Sequence, residues 1–332
     1  MLNPNLKLNP NLFEESVEKK PTRDGYGDGL LILGEKNKDV VVLTADLSES
    51  TRADGFEKKF HDRFFECGVA EQNMAAISAG LAMSGKIPFM SSYATFSPGK
   101  NWETIRTTII YNNANVKIAG DHAGIMTGPD GATHQATEDV ASIRSWPGIT
   151  IFIPADSIEA KKATLKSADI NGPVYLRFSR DKTPIMTTQH SPFEKGKIHV
   201  FWVTENPVCT IFATGYMLYY ALLAAKKLEQ EGTNVLVANV STIKPLDQNS
   251  ILSLAETTRA FVTVEDHQVA GGLGGTIAEF MAKTNPTPIE FIGLQDTFAE
   301  SGTPKELIEK YEMGEKSIQE AVKKVIKRKF NE

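Results

Sequence analysis

Asp39-Val40-Val41-Val42-Leu43-Thr44 is a short apolar run with no polar side chain between its first and last residues. A strand with one wet face alternates polar and apolar residues; a run like this one needs cover on both faces, the mark of a parallel sheet between helix layers. Similar runs recur at Ile87–Met90, Val116–Ala119, Thr150–Ile153 and Val174–Phe178. Between them lie stretches of helical period, at 22–35, 71–83, 101–111, 138–145 and 157–168. Such alternation specifies a doubly wound parallel sheet. Thr183 to Lys197 breaks the rhythm with two prolines and reads as a linker. Strand and helix patterns then resume from Cys209 and close with helices at 304–311 and 317–327. The expected organisation is α/β: an extended, weakly ordered arm (1–21), a parallel-sheet unit (22–185), a linker (186–198) and a smaller mixed-sheet unit (199–332).

The remaining composition excludes several classes of function. The net charge of −5 argues against a nucleic-acid footprint. No run approaches the roughly 20 apolar residues of a membrane span, and residues 1–21 have no apolar core of signal-peptide length. The two cysteines, Cys67 and Cys209, sit in strand-like runs outside any Cys-x-x-Cys pair. Buried thiols in a reducing compartment, the cytoplasm, are the expectation.

Chemistry concentrates in two places. The first is Gly68-Val69-Ala70-Glu71-Gln72-Asn73-Met74, where a strand from Phe65 gives way to a helix with Met74, Ile77 and Leu81 on one face. Glu71 thus stands at a strand-to-helix junction, where open α/β sheets keep their sites. A lone Glu there is more often a charge facing the helix dipole. The second is the loop from Gly120 to Thr137, with two of the six histidines. Its glycines permit sharp reversals that could bring His122, Asp130 and His134 together. The spacing fits no common zinc pattern, and no metal ligand is assigned. Gly27-Asp28-Gly29 precedes a helix and has no Asn in the window near Gly55 to Lys59, so it reads as a glycine-rich helix opening and not a metal motif. Gly271-Gly272-Leu273-Gly274-Gly275 could hold an anion or serve close packing; packing is favoured.

These residues carry a resemblance. Gly68-Val69-Ala70-Glu71-Gln72-Asn73-Met74 and Gly128-Pro129-Asp130-Gly131-Ala132-Thr133-His134-Gln135 are similar to signatures of thiamin-diphosphate enzymes of the transketolase family. The order of the chain, through Val264-Glu265-Asp266-His267, resembles the carboxy-terminal half of such enzymes: a pyrimidine-binding domain, then a C-terminal domain. The resemblance implies that Glu71 bonds N1′ of the cofactor's aminopyrimidine ring, as the catalytic residue together with His134. Phe96, Tyr93 and Asp46 would contact the cofactor. Arg23, Ser50, His122, Asp130, His134 and Arg180 would bind sugar phosphate, and a planar guanidinium suits phosphate bidentately. It further implies a separate diphosphate-binding subunit that holds Mg²⁺ or Ca²⁺, a homodimer of this chain, and a heterotetramer overall. Two features depart from the family pattern. Ser97-Pro98-Gly99-Lys100-Asn101-Trp102 lacks the further aromatics that usually follow Phe96, and Gln72-Asn73 replaces the usual His. The alternatives are a subunit like 1-deoxyxylulose-5-phosphate synthase, one like 2-oxoacid dehydrogenase E1β, or a non-catalytic assembly subunit.

Overall fold

The central strands are buried on both faces, as the apolar runs require. Val40 and Val42 pack into one helix layer, while Val41 and Leu43 pack into the other. The structure, a computed structural model, describes residues 1–330; the last two residues of the expected 199–332 unit lie outside them. The first part of the chain runs β1 (Lys19–Lys20), α1 (Thr22–Lys36), β2 (Val40–Thr44), α2 (Asp54–Lys59), β3 (Phe64–Glu66), α3 (Glu71–Met83), β4 (Ile87–Tyr93), α4 (Trp102–Thr104), β5 (Lys117–Asp121), α5 (Asp139–Ile143), β6 (Thr150–Phe152), α6 (Ser157–Ala168), β7 (Val174–Arg177) and β8 (Thr183–Pro184). The second runs β9 (His199–Trp202), β10 (Cys209–Ala213), α7 (Met217–Gln230), β11 (Val235–Asn239), β12 (Thr242–Lys244), α8 (Gln248–Thr258), β13 (Phe261–Gln268), α9 (Leu273–Thr284), β14 (Ile289–Leu294), α10 (Pro304–Lys310) and α11 (Glu315–Phe330).

The fold is α/β with two sheets. Six strands of the larger sheet, in the order β6-β7-β5-β4-β2-β3, are parallel, and β12 adds an antiparallel edge beside β6. That edge strand comes from the second half of the chain, so the two units share a seam. The smaller sheet, β14-β13-β10-β11-β9, is parallel except for β9. The strands β9 and β12 and the short helix α2 lie outside the sequence expectation. Each is too short to show a period of its own.

Several local expectations need correction. Residues 1–21 are not loose. Leu8, Leu12 and Val17 are buried in the second unit's core, Phe13 meets Trp202 edge-on, and the amides of Asn3 and Asn9 donate to Phe201 O (2.8 Å) and Met186 O (3.0 Å). Asn and Pro interleaved with the leucines disguise a covering segment as a polar tail. Part of the expected linker is also structured, since β8 pairs antiparallel with β1. Over 101–111 the chain is helical, but it widens to a π-type turn at Ile105–Ile110. In α3 the buried face is Met74, Ala75, Ser78 and Ala79, whereas Ile77 and Leu81 are only half-buried.

The glycines that open α1, with those of the rejected metal motif among them, are explained by packing. A Cβ at Gly25 would lie 1.8 Å from Ser157 O, and one at Gly29 would lie 2.7 Å from Thr164 Cβ. These glycines let α1 press against α6, while Asp28 points to solvent. At the second cluster, the protein supplies its own anion. The buried Glu265 carboxylate accepts from the amides of Leu273 (2.6 Å) and Gly274 (2.8 Å) at the start of α9.

Candidate active site

The sequence places Glu71 as the first residue of α3, directly after a turn in which Gly68 adopts φ +67°. The junction turns its carboxylate inward, at 2% exposure. Its hydrogen bonds are long: Ser92 Oγ donates to Oε1 and Lys100 Nζ to Oε2, each at 3.4 Å. A buried carboxylate normally has close donors. Glu71 therefore keeps acceptor capacity. Asn101 braces the helix start by donating to Glu71 O (3.0 Å) and to Ser97 Oγ (3.2 Å). Lys100 and Asn101 lie in the departing stretch after Phe96, where family spacing gave no role to read.

Ser92 and Tyr93 end β4, and they pair in register with Gly120 and Asp121 of β5. This register carries the Glu71 corner to the histidine loop. Tyr93 stacks on His122 with ring centres 3.7 Å apart and planes 19° apart. Phe96 lies near parallel to Tyr93 at 5.9 Å, and His134 meets Tyr93 and Phe96 edge-on at 6.0 and 5.5 Å. Tyr93 thus commits one contact to His122, and Phe96 remains half-exposed beside it.

Behind the rings lies a cationic cluster. Arg23, on the first turn of α1, donates to Ser50 O (2.5 Å) and stands 3.5 Å from His122 Nε2. The Ser50 contact is through its backbone carbonyl. Arg180, just past β7, approaches Asp130 at 4.0 Å. Arg52 donates to Asp24 (2.7 Å). Burial first, then Arg23, Arg180, His134 and Arg52, pushes the His122 imidazole down to about 2. His122 is therefore neutral, which fits hydrogen bonding rather than charge pairing. Burial, aided by Arg52, also lowers the Arg23 guanidinium. Crowded cations of this kind gain stability when an anion arrives.

Asp121 was not anticipated. It is fully buried, and burial lifts its carboxyl well above the ordinary range against the pull of Arg23 and Arg52. Both its oxygens lack hydrogen-bond partners, as do Arg23 Nε and His122 Nδ1. The available signal was its position at a strand end beside a candidate histidine. Arg52 was equally legible, two residues beyond Ser50. Asp46 is exposed, in left-handed backbone (φ +61°), with its amide held by Glu66 Oε1 at 2.8 Å. It sits beside the β3–α3 junction, apart from the ring cluster's contacts. The carboxyl ends of the central strands thus gather a buried carboxylate, an aromatic cluster and an arginine cluster. Among the described residues, no group of three or more His, Cys, Asp or Glu could hold a metal ion.

The chain matches the transketolase pyrimidine-binding domain over residues 18–186 and the transketolase C-terminal domain over 199–318. It is 40% identical over 312 residues to a putative transketolase C-terminal section of Methanocaldococcus jannaschii, covering 93% of this chain and 97% of the relative. It is 36% identical to the 6-deoxy-6-sulfo-D-fructose transketolase subunit SqwH of Clostridium sp., covering 96% and 98%. A solved structure described as a split gene transketolase, inactive beta4 tetramer, superposes with a TM-score of 0.86 at 42% identity, covering 92% of this chain and 98% of that one.

Proposed function

The chain belongs to the transketolase family, and on that premise we propose that it is the pyrimidine-side subunit of a thiamin-diphosphate-dependent ketol transferase. In this reading it moves a two-carbon unit from a ketose phosphate to an aldose phosphate. A separate chain binds the cofactor's diphosphate with Mg²⁺ or Ca²⁺. The relatives named as a subunit, a section and a split-gene product, matched over nearly their whole length, support that division of labour.

The observation that carries the proposal is the buried, under-bonded Glu71 carboxylate at the same strand ends as the arginine cluster. The residues fit the cofactor: Glu71 offers a carboxylate to a ring nitrogen, and Phe96 offers a half-exposed ring beside it. When bound, thiamin diphosphate supplies the electron sink that a two-carbon carbanion needs. Glu71 would hold a proton at the ring's N1′, and its own burial would strengthen that bond. His134, at the edge of the rings, faces the transferred unit. Arg23, Arg180 and neutral His122 bind the distal anion, with Asp130 orienting Arg180 or a substrate hydroxyl. Chemistry that spreads over two chains also requires assembly, which we place at α3.

The test is ketol transfer by the complex of this chain with its diphosphate-binding chain. Phosphorylated ketose donors are compared with sulfonated ones, since the arginine cluster suits either tetrahedral anion. Transfer to an aldose phosphate, lost when Glu71 is replaced by Gln, supports the reading. A Gln variant that transfers as fast as the wild type refutes it.

A further inference from the structure

The loop that carries His122, Asp130 and His134 leaves β5 of one unit but is held by the other. Three consecutive residues at the end of β13 hold this loop and the start of α5 that follows it. Asp266 Oδ1 accepts from the Ile125 amide at 3.0 Å, His267 Nε2 accepts from the Ala141 amide at 3.3 Å, and the Gln268 amide donates to Thr137 O at 2.7 Å. The Gln268 side chain adds a bond to Thr137 Oγ1 at 3.3 Å. A second grip comes from the segment before α10: Gln135 Nε2 donates to Glu300 O at 3.2 Å, and a Cβ on Gly131 would fall 2.5 Å from Ser301 Oγ.

The Asp266 contact is the most exacting. Asp266 is 3% exposed. A Cβ on Gly124 would fall 1.9 Å from its Oδ2, and Gly124 also adopts φ +74°. Glycine alone admits the carboxylate and the backbone there. From this turn, Thr127 Oγ1 donates to His122 O at 2.6 Å, bracing a histidine in left-handed backbone (φ +53°). The line of support runs from Asp266 through the Gly124–Thr127 turn to His122, which stacks on Tyr93 and meets Arg23.

We propose that Asp266, in the C-terminal unit, is a positioning residue for substrate binding: it holds the Gly124–Thr127 turn so that His122 stays in register with Arg23 and Tyr93. The role in catalysis rests on the functional reading above; the clamp itself does not. Asp266 has no contact of its own with Glu71 or Phe96, and it reaches Tyr93 only through the His122 stack. Its loss should therefore weaken the hold on substrate and spare the cofactor contact. A hydrogen bond between a buried amide and a buried carboxyl oxygen is expensive to leave unmade, since no water replaces either partner.

The experiment compares Asp266→Ala and Asp266→Asn. Amide hydrogen exchange is followed on the chain, and steady-state kinetics on the complex with its diphosphate-binding partner. Asn keeps an oxygen facing the Ile125 amide, so it should restore what Ala loses. For Asp266→Ala we expect faster exchange confined to residues 123–131. KM for the phosphorylated sugar should rise about ten-fold or more, with kcat within about two-fold and cofactor affinity unchanged. Asp266→Asn should stay within a few-fold of wild type in both. If Asp266→Ala does not fold, Asp266→Ser, too short to reach Ile125, is read in its place. Unchanged exchange at 123–131 overturns the clamp. Exchange that rises throughout the C-terminal unit, or kcat that falls with KM unmoved, overturns the positioning role. A wild-type complex with no transfer activity removes the functional reading while the exchange result still decides the clamp.

Discussion

At the residue scale, Glu71 is the sharpest test. Glu71→Gln keeps the size and one hydrogen-bonding edge but cannot exchange a proton. We expect a folded chain, cofactor uptake close to normal in the complex, and kcat lower by about two to four orders of magnitude. Single-turnover and steady-state rates check this, and a loss under ten-fold removes Glu71 from the mechanism. Arg180→Ala should raise KM for phosphorylated sugars by roughly ten-fold or more, and much less for non-phosphorylated analogues, because one charge-assisted contact contributes about 1.5–3 kcal/mol. Equal effects on both would make Arg180 structural. His122 gives a test by pH. Its folded pKa of about 2 lies below its ordinary 6.5, so between those values the unfolded chain binds a proton that the folded chain refuses. Its contribution to stability is intact above about pH 6.5 and is lost as pH falls, by up to about 1.4 kcal/mol per unit. His122→Asn should flatten the decline of the urea midpoint between pH 6.5 and 4; an unchanged slope contradicts the assignment. Of these side chains, Glu71, His122 and Arg180 were legible because motifs surround them. Asp121 and Arg52 lay beside candidate residues but were not singled out, and Lys100 carried no signal, since their roles depend on which strand ends meet.

At the element scale, sequence reading works where one periodicity spans a whole element. The apolar run of β2 announced its two covered faces, and the helical period at 157–168 announced α6. It fails where tertiary contact decides. Nothing in Thr242-Ile243-Lys244 shows that β12 leaves its own unit to close the larger sheet beside β6. In α3, near-uniform apolarity hid which face turns inward; only the structure shows Ser78 buried and Ala76 and Gly80 exposed. Ala79 is 4% exposed within its own chain, so a charge there would disturb folding. Ala76 is the clean probe.

At the scale of the whole molecule, the outer side of α3 carries exposed small and apolar residues beyond the polar Gln72 and Asn73 of its first turn. Val69 and Met83 are 71% and 74% exposed, with Ala76 and Gly80 between them. Small residues let two such helices approach closely, and we propose that copies of this chain pair there, with the diphosphate-binding chains completing a heterotetramer. Ala76→Lys would bury an unpaired charge and should dissociate the pair. Sedimentation at tens of micromolar checks it, and a wild-type monomer at that concentration, with or without the partner chain, rules the arrangement out. No described helix is long and apolar enough to cross a membrane. The two units and their order could be read from the alternation of runs, but the seam between them could not, because its contacts join residues as far apart as 80 positions (Glu159 and Asn239) and 141 positions (Ile125 and Asp266). The central claim is that Glu71 acts in a site completed by a second chain. It is tested most directly by titrating the diphosphate-binding chain into a fixed amount of this one, with thiamin diphosphate, Mg²⁺ and a ketose phosphate present, and measuring ketol transfer. The account predicts no steady turnover by this chain alone and a rise that saturates at one partner per chain; sustained turnover before any partner is added would contradict it.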